Sequence, residues 1–227
     1  SIFSEALKSE MIVKLKAGKQ IILFLNRRGS ATFVMCRDCA HVAECRDCHV
    51  PLVYHLSAKN LLCHHCGKNY PIPAKCPACQ GARIKYFGIG TEAVEEELKK
   101  FLKTELREKT MPVISRMDRD STMKAGSHQK IYEDWVGGKS QILVGTQMIS
   151  KGWDVSRVGL VGIISADTIL HLPDFRSNER TFQILTQVAG RAGRGADPGV
   201  VILQTYNPDN YAIQSAKLHD YEGFFAR

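Results

Sequence analysis

The sequence contains no long hydrophobic run. Its longest candidate, residues 158–166, stops at the charged Asp167, whereas a membrane-spanning helix needs about 20 apolar residues. The first residues of the chain carry glutamates and lack the apolar segment of a secretory signal peptide. We therefore expect no membrane contact and no signal peptide. Because the first residue is Ser1 rather than methionine, we expect the chain to be a fragment of a longer protein.

Cysteine is missing from most of the chain. All 8 cysteines lie within residues 36–79. They form four C-x-x-C pairs, which are Cys36/Cys39, Cys45/Cys48, Cys63/Cys66 and Cys76/Cys79. This confinement disfavours a secreted disulfide scaffold, because the repeated C-x-x-C spacing suits bridges poorly. It also disfavours a thioredoxin-like redox site, which needs one such pair and not four.

The spacing of the cysteines instead predicts metal binding. A C-x-x-C pair places two sulfurs within reach of one tetrahedral ion at about 2.3 Å per bond, so four pairs predict two Cys₄ sites. Zinc is the expected metal, although a tetrahedron of thiolates also suits iron. A structural zinc ion adds on the order of 10 kcal/mol to folding. Histidines of the same segment could replace a ligand, but with so many cysteines we expect them to be solvated or to contact phosphate: His41, His49, His55, His64 and His65.

The cysteine pairs can be combined in several ways. The long gap between Cys48 and Cys63 suits a ribbon hairpin with a metal at its base, and this favours a nested arrangement. In that arrangement the two inner pairs share one ion and the two outer pairs share the other. The sequential arrangement, with Cys36 and Cys45 on one ion, stays open.

Outside the cysteine-rich segment, strand and helix patterns alternate. Short apolar runs such as residues 21–25 are typical of buried parallel strands. Helical stripes begin near Phe3 and Thr91, and others cover residues 127–136 and 178–191. Further strands are expected at residues 31–35, 83–87, 113–117, 141–145, 158–164 and 199–205. The alternation predicts an α/β fold with a parallel sheet and helices on both faces. Residues 36–82 would be a small module inserted into one domain formed by residues 1–35 and 83–227.

No P-loop is present in the sequence. Residues 138–140 resemble the end of one, but Glu133 stands where the motif requires glycine. Gly88 and Gly90 fit the start of a dinucleotide-binding motif, yet the next strand ends near Asp118, later than that motif requires. We therefore expect no P-loop in this chain, and dinucleotide binding is disfavoured.

A stronger phosphate-contact pattern lies near residue 190. On a helix, Gln187, Arg191 and Arg194 share one polar face. The apolar residues of the same helix would point to the core: Phe182, Leu185 and Val188. An arginine guanidinium pairs with phosphate oxygens through its planar fork and keeps its charge. The glycines next to the arginines, Gly190 and Gly193, would keep the surface low, so that a phosphate could approach.

Together with Gly145 and Thr146 at a strand-to-helix turn, this pattern resembles the later motifs of superfamily two helicases, in their second RecA-like lobe. Nearly the whole chain resembles the primosomal replication-restart DNA helicases. The stretches that carry the resemblance are the C-x-x-C pairs and residues 21–29, 86–91, 116–120, 145–149, 166–167, 172–176 and 187–194. The resemblance implies a RecA-like α/β lobe with an inserted zinc-ribbon-like module. For the cysteines it implies the nested arrangement.

The resemblance also implies an ATP-driven 3′-to-5′ DNA helicase that remodels stalled forks and restarts replication. Arg191 and Arg194 would be its catalytic arginines. The nucleotide would be contacted by Gln187, Gly190 and Asp154, and the DNA backbone by Arg27, Thr146, Gln147 and Lys151. From the residues alone, Arg27 could equally belong to a solvated turn, and Lys151 could satisfy a helix C-terminus.

The implied cofactors are two zinc ions and, as substrate, ATP with magnesium. The implied partners are forked and single-stranded DNA, a single-strand-binding protein and primosome proteins, in the cytoplasm at the bacterial nucleoid. Because the P-loop lobe is absent, we expect no ATP hydrolysis by this chain alone.

Two other classes of function stay open at this level. A non-enzymatic zinc module on an α/β scaffold could bind nucleic acid or protein, and a thiol-dependent oxidoreductase would have free reactive thiols. The net charge of +8 favours a polyanionic partner. Two Cys₄ zinc sites would about halve that charge, so the charge alone decides little.

Overall fold

The structure is a computed structural model that describes residues 1–26, 32–55, 60–87, 90–106, 111–118, 121–123, 126–149, 157–172, 174–193 and 198–226. The chain divides into two compact units. The first, called the sheet unit, comprises Ser1–Asn26, Ile89–Ala166 and Gln183–Gln204. The second, called the cysteine unit, comprises Arg27–Gly88, Asp167–Phe182 and Thr205–Arg227.

Helices and strands alternate over much of the chain. The helices are α1 (Glu5–Lys16), α2 (Thr91–Leu106), α3 (Ser127–Val136), α4 (Asp167–Leu170), α5 (Ser177–Ala189), α6 (Tyr211–Leu218) and α7 (Tyr221–Phe225), with a 3₁₀ turn at Gln147–Ile149. The strands are β1 (Gln20–Phe24), β2 (Thr32–Cys36), β3 (Val53–His55), β4 (Asn60–Leu62), β5 (Asn69–Tyr70), β6 (Ile84–Phe87), β7 (Ile114–Met117), β8 (Ile142–Gly145), β9 (Val158–Ile163) and β10 (Val200–Leu203).

The sheet unit is built on a five-stranded parallel sheet with the strand order β10-β9-β1-β8-β7. Strands β1 and β9 are buried along their whole length, as expected when both faces of a parallel sheet are covered. On one face, the apolar stripes of α1 and α2 pack against Ile21 and Leu23 of β1. The alternate residues Ile22 and Phe24 are buried as well. The α/β class expected from the sequence is confirmed.

Local signals define the first helix. Ser4 caps α1 by accepting a hydrogen bond from the Leu7 amide at 3.3 Å. Gly18 follows the helix in the left-handed conformation, with φ of 67°, which glycine adopts without steric cost. Leu7 and Met11 are fully buried, so the helical stripe that begins at Phe3 is confirmed.

The cysteine unit contains a second five-stranded sheet, with the order β5-β4-β3-β2-β6, in which every pair is antiparallel. Its strands β2 and β6 flank most of the cysteines and pair with each other, with Phe33 opposite Phe87 and Cys36 opposite Ile84. Both strands are expected from the sequence, but their antiparallel pairing is not, because an apolar run does not reveal the direction of its neighbour. The domain boundaries at residues 36 and 82 stay a prediction.

Two apolar clusters of the cysteine unit lie at the cysteine turns, and both are small. One buried cluster consists of Val34, Cys45, Leu52, Leu61 and Cys63, so two cysteines belong to it. A second consists of Phe33, Met35 and Val42. Among the residues that the structure describes, no helix is long and apolar enough to cross a bilayer.

Candidate functional site

The cysteines form two groups of four. One group consists of Cys36, Cys39, Cys76 and Cys79, and the other of Cys45, Cys48, Cys63 and Cys66; within each group the sulfur atoms lie within 4.8 Å of one another. These are the groups of the nested arrangement, and the sequential alternative is wrong. No histidine of the described residues joins either group. His65 comes near, with its Nδ1 atom 3.3 Å from the Cys48 sulfur.

The spacing of the sulfurs fits a tetrahedral ion. The Cys36 and Cys79 sulfurs are 3.7 Å apart and those of Cys39 and Cys76 are 3.6 Å apart, and a distance of 3.7 Å also separates the Cys45 and Cys66 sulfurs. A tetrahedron with bonds of about 2.3 Å has edges of about 3.8 Å, whereas a disulfide holds its sulfurs about 2 Å apart. All of these cysteines are free thiols. Both groups therefore fit zinc by donor type, number and spacing.

One turn geometry is repeated at all four C-x-x-C pairs. In each, the carbonyl of the first cysteine accepts a hydrogen bond from the amide four residues later, at 2.8–3.0 Å, and its own amide donates to the carbonyl five residues later, at 2.9 Å. The first cysteine of each pair is buried, whereas the second is exposed or half-buried. Each pair is therefore a preformed turn that fixes one sulfur inside and presents the other from the rim.

The residue four positions after the first cysteine adopts the left-handed conformation in every turn. These residues are Ala40 (φ 59°), His49 (φ 53°), Gly67 (φ 76°) and Gln80 (φ 60°). Three of them carry a side chain, although the left-handed region costs about 1–2 kcal/mol for residues other than glycine. Only the glycine gives a signal in the sequence, so sequence reasoning misses the left-handed residue of the other three turns.

Charged side chains tie the paired turns together. Asp38, within the first C-x-x-C, pairs with Arg83, and Asp47, within the second, pairs with Lys68 at 2.9 Å. Each carboxylate also lies 3.9 Å from the first cysteine sulfur of its own pair. Both cations follow the partner pair of the same group, so the same ionic tie occurs once in each candidate site.

The sulfurs of the second group compete for negative charge. A hydrogen bond from the Tyr70 hydroxyl, 3.2 Å from the Cys45 sulfur, lowers the pKa of the Cys45 thiol to about 6 despite the burial of that thiol. Burial, together with the neighbouring cysteines, raises the pKa of the Cys48 thiol to about 12. A divalent cation between four sulfurs relieves this competition, because it stabilises every thiolate.

The sheet unit places two predicted phosphate-contact residues at the carboxyl ends of its strands. Thr146, only 8% exposed, donates its amide to the Met117 carbonyl at 3.2 Å, and Gln147 Nε2 donates to Asn26 Oδ1 at 2.8 Å. Gly145 is required here, because a Cβ atom would lie 2.8 Å from the Met117 carbonyl oxygen. Ligands of parallel sheets bind at this edge.

Asn26, which ends the apolar run of β1, is a residue that sequence reasoning misses. It is 6% exposed, and its amide nitrogen finds no acceptor among the described residues. A buried donor without a partner is uncommon. This edge of the sheet therefore holds a donor available to an oxygen atom of a ligand.

The helix that carries Gln187 ends earlier than expected. Helix α5 stops at Ala189. Beyond Gly190 the amides bond to the carbonyl three residues earlier instead of four, from Arg191 to Val188 at 3.1 Å and from Ala192 to Ala189 at 3.0 Å. The expected single helical face therefore does not continue to Arg191. Gln187 and Gly190 are exposed and Arg191 is half-buried. The expected core-facing residues are confirmed as buried: Phe182, Leu185 and Val188.

The structure explains why residue 193 is a glycine, and the reason differs from the expected one, which is access for a phosphate. It adopts a φ of 74°, and its amide donates to the Val158 carbonyl at 3.2 Å. A Cβ atom at this position would lie 2.4 Å from the Gly199 amide, and a Cβ at Gly199 would lie 2.2 Å from the Gly193 amide. The two glycines let the backbone segments touch at the entrance to β10.

Two buried carboxylates lie in stretches that carry the resemblance, residues 116–120 and 166–167, but the sequence assigns them no role. Asp118 accepts hydrogen bonds from Thr91 and from the Ser121 amide at 2.7 Å, and Arg116 lies at 3.1 Å. Burial alone raises the pKa of Asp118, but the bonds from Thr91 and Ser121 and the charge of Arg116 outweigh it and leave the pKa below its usual value. Thr91 is the first residue of α2, and its hydroxyl donates to the Asp118 carboxylate.

The second buried carboxylate, Asp167, belongs to the cysteine unit. It is fully buried and accepts hydrogen bonds from the Tyr206 amide at 3.1 Å and from Asn207 Nδ2 at 2.7 Å. Asn207 Nδ2 also lies 3.2 Å from the Nε2 atom of His171. Burial lowers the pKa of His171, against the opposing charge of Asp167. The network fastens residues 205–207 to α4.

Four predicted site residues lie outside the described residues: Arg27, Lys151, Asp154 and Arg194. Their roles stay predictions, as do those of the described residues Thr146, Gln147, Gln187, Gly190 and Arg191.

Two family models match the chain. The helicase conserved C-terminal domain matches residues 80–196, which is more than half of the sequence. The Cys-rich region domain of PriA DNA helicases matches residues 45–71, which hold the second group of cysteines.

Curated proteins match nearly the whole chain. The Replication restart protein PriA of Bacillus subtilis is 49% identical over 225 residues, which is 99% of this chain and 27% of that protein. The protein of the same name from Synechocystis is 45% identical over 232 residues, covering 100% of this chain and 27% of that protein. The chain thus spans about a quarter of the length of these relatives. Among solved structures, the Hef helicase domain of Pyrococcus furiosus is 16% identical with a TM-score of 0.38, covering 93% of this chain and 27% of that one.

Proposed function

Because the chain belongs to the family of helicase conserved C-terminal domains, in the branch of the PriA replication restart proteins, we propose that it is the second motor lobe of an ATP-dependent 3′-to-5′ DNA helicase. The helicase would remodel stalled forks and restart replication. The observation that carries the proposal is the identity of 49% over 99% of the chain. Residues 1–35 and 83–227 would form the motor lobe, and residues 36–82 the zinc module.

The ATP site would lie between this lobe and another lobe that supplies the P-loop. Arg191 and Arg194 would contact the γ-phosphate, with Gln187, Gly190 and Asp154 near the nucleotide. A guanidinium at this place stabilises the charge of the transition state and is worth about 10³–10⁵ in rate. The half-buried position of Arg191 directly after α5 supports this role, because a packed helix end limits the movement of the side chain.

The tracking DNA strand would contact the carboxyl edge of the parallel sheet. Thr146 and Gln147 lie there, and the buried amide nitrogen of Asn26 adds a donor without an acceptor. Arg27 and Lys151 would add positive charge. Contacts of this kind read the phosphate backbone, so binding should weaken as salt rises.

Each cysteine group would bind one zinc ion. Zinc there would act as a structural cross-link, because all four ligands come from the protein and no coordination position is left for substrate. ATP would bind with magnesium. Forked and single-stranded DNA, a single-strand-binding protein and primosome proteins would be the partners, in the bacterial cytoplasm.

The test uses the full-length protein that carries this sequence. R191A should abolish DNA-stimulated ATP hydrolysis while DNA affinity and zinc content stay as in the wild type. R191K should also fail, because lysine keeps the charge but not the planar fork. Q183A, an exposed change on the same helix, should leave hydrolysis unchanged.

Parallel loss of hydrolysis, DNA affinity and thermal stability in R191A would contradict the proposal, since it would assign Arg191 to folding. Measurable ATP turnover by the chain of 227 residues without its P-loop lobe would contradict it as well.

A further inference from the structure

One phenylalanine of the cysteine unit is almost fully exposed. Phe175 exposes 92% of its surface, whereas Phe33 and Phe182 of the same unit expose 5% each. Phe225 is also largely exposed, but its ring stacks beside that of Tyr221, with 6.3 Å between the two ring centroids. Phe175 is thus presented to solvent without another aromatic ring beside it among the described residues.

The turn that carries Phe175 is held by hydrogen bonds. The Asp174 carboxylate accepts the Arg176 amide at 2.9 Å and forms an ion pair with Arg180 one turn into α5. The Ser177 amide donates to the Asp174 carbonyl at 2.9 Å. Asp174 therefore fixes the backbone on both sides of Phe175, so that the ring is exposed on an ordered turn.

The chain before this turn is anchored as well. Asp167 at the start of α4 is fully buried and bound by the Tyr206 amide and the Asn207 side chain. The His171 ring lies 5.3 Å from that of Phe33. A ring presented between two anchored ends loses little further conformational freedom on binding.

A cation accompanies the ring. The guanidinium carbon of Arg176 lies 5.2 Å from the ring centroid of Phe175, within the range of cation–π contacts. Asp174 is paired with Arg180, whereas Arg176 forms no ion pair with a described residue. The exposed surface is therefore an aromatic ring next to a positive charge that no acidic side chain of the described residues pairs.

This combination favours a nucleic-acid strand over an apolar protein pocket. A pocket would bury the phenyl ring but would have to desolvate the adjacent guanidinium. A single strand offers both complements at the spacing of one nucleotide, since its base has a π-face and its backbone carries a phosphate.

We propose that Phe175 and Arg176 form a platform for single-stranded DNA, on which one base stacks against the phenyl ring while the guanidinium contacts a neighbouring phosphate. The proposal rests on the proposed function in so far as both require a single strand of DNA. It adds a contact in the cysteine unit, distinct from Arg191 and from the carboxyl edge of the parallel sheet.

The test measures binding of the zinc-loaded chain to fluorescein-labelled oligothymidine of about 12 nucleotides, a length in the range of single-strand sites, by fluorescence anisotropy at low salt. Stacking on an aromatic residue is lost in F175A, so its affinity should fall about 5- to 150-fold. F175W should bind like the wild type or more tightly. F225A, which removes another highly exposed phenylalanine of the unit, should bind like the wild type.

A strand of the same length with abasic positions separates stacking from phosphate contact. The wild type and F175A should bind it with equal affinity, and R176A should bind both strands more weakly than the wild type.

The proposal is overturned if F175A binds oligothymidine like the wild type, the result expected of a surface for a protein partner. It is also overturned if F175A loses as much affinity for the abasic strand, or if the wild type binds no oligothymidine. The R191A measurement of ATP hydrolysis does not involve these residues, so either proposal can fail alone.

Discussion

The two units reach a folded state by different means. In the sheet unit, β1 and β9 are buried along their whole length, and two helices cover one face with apolar stripes. In the cysteine unit the two apolar clusters at the cysteine turns are small, and cysteines belong to one of them. Burial of apolar surface drives the folding of the sheet unit. The cysteine unit instead has two groups of thiols, and a metal cross-link within each group would stabilise its folded state. Each unit should therefore be sensitive to a treatment that the other withstands.

Metal removal should have the largest effect, confined to the cysteine unit. A strong chelator, or C63S, should release zinc and unfold the antiparallel sheet, because a structural zinc ion contributes on the order of 10 kcal/mol. Hydrogen exchange should show loss of protection in β2, β3 and β4, with β1 and β9 still protected. H65A is the control and should keep two zinc ions per chain, because His65 lies outside both groups. Unchanged protection in β2 to β4 after complete loss of zinc would break the comparison.

A substitution that creates a cavity in each unit should sharpen the comparison between the two units. Leu23 and Leu61 are matched, since both are leucines on strands with exposures of 0% and 1%. L23A should destabilise the sheet unit by about 2–5 kcal/mol, the usual range for a buried leucine. L61A should have little effect on protection of the cysteine unit while zinc is bound, because the cross-links persist.

The measurement for this pair is urea denaturation followed by hydrogen exchange, with and without zinc. The difference between L61A and the wild type should emerge only after zinc is removed. Equal loss of protection in zinc-bound L61A and L23A would show that apolar packing carries both units.

A smaller effect should follow removal of the Asp118 charge. D118N leaves the donors of Ser121 and Arg116 without a carboxylate, at a cost of about 1–3 kcal/mol. The folded pKa of Asp118 is depressed, so its contribution is present above the usual value of 3.8 and is lost as pH falls through the lower folded pKa. The gap between D118N and the wild type should therefore close in acid.

Hydrogen exchange of α2 and β7 at pH 7 and at about pH 2 measures this gap. The readout is limited to these elements because acid also protonates thiolates and releases metal from the other unit. A gap that stays constant with pH would show that the carboxylate charge is not responsible.

The sequence alone predicts the features that rest on repeated local signals. Apolar periodicity is enough for α1 and for the buried strands. The C-x-x-C spacing is enough to predict two sites of four cysteines, while the grouping of the pairs is favoured by the long gap after Cys48 and implied by the resemblance. Sheet direction is not predictable in this way, because β2 and β6 look like any apolar strand. The end of α5 is not predictable either, because a helical stripe does not show that the backbone at Gly193 must contact the backbone at Gly199. Asp118 and Asn26 are missed because their roles depend on burial, which single polar residues do not reveal.

The smallest effect should separate two turns with the same geometry. Gly67 and Ala40 are both left-handed and occupy the same position after a first cysteine, one in each group. G67A should weaken zinc binding by the second group about 2- to 5-fold. Alanine in this conformation is strained by about 1–2 kcal/mol, and the lower conformational entropy of the unfolded chain with alanine offsets only part of that strain. A Cβ at residue 67 meets no atom within 4 Å, so crowding does not contribute. A40G should tighten the first group by a similar factor. Competition with a chromophoric chelator measures both affinities, and a shift of the two variants in the same direction would rule out backbone strain as the cause.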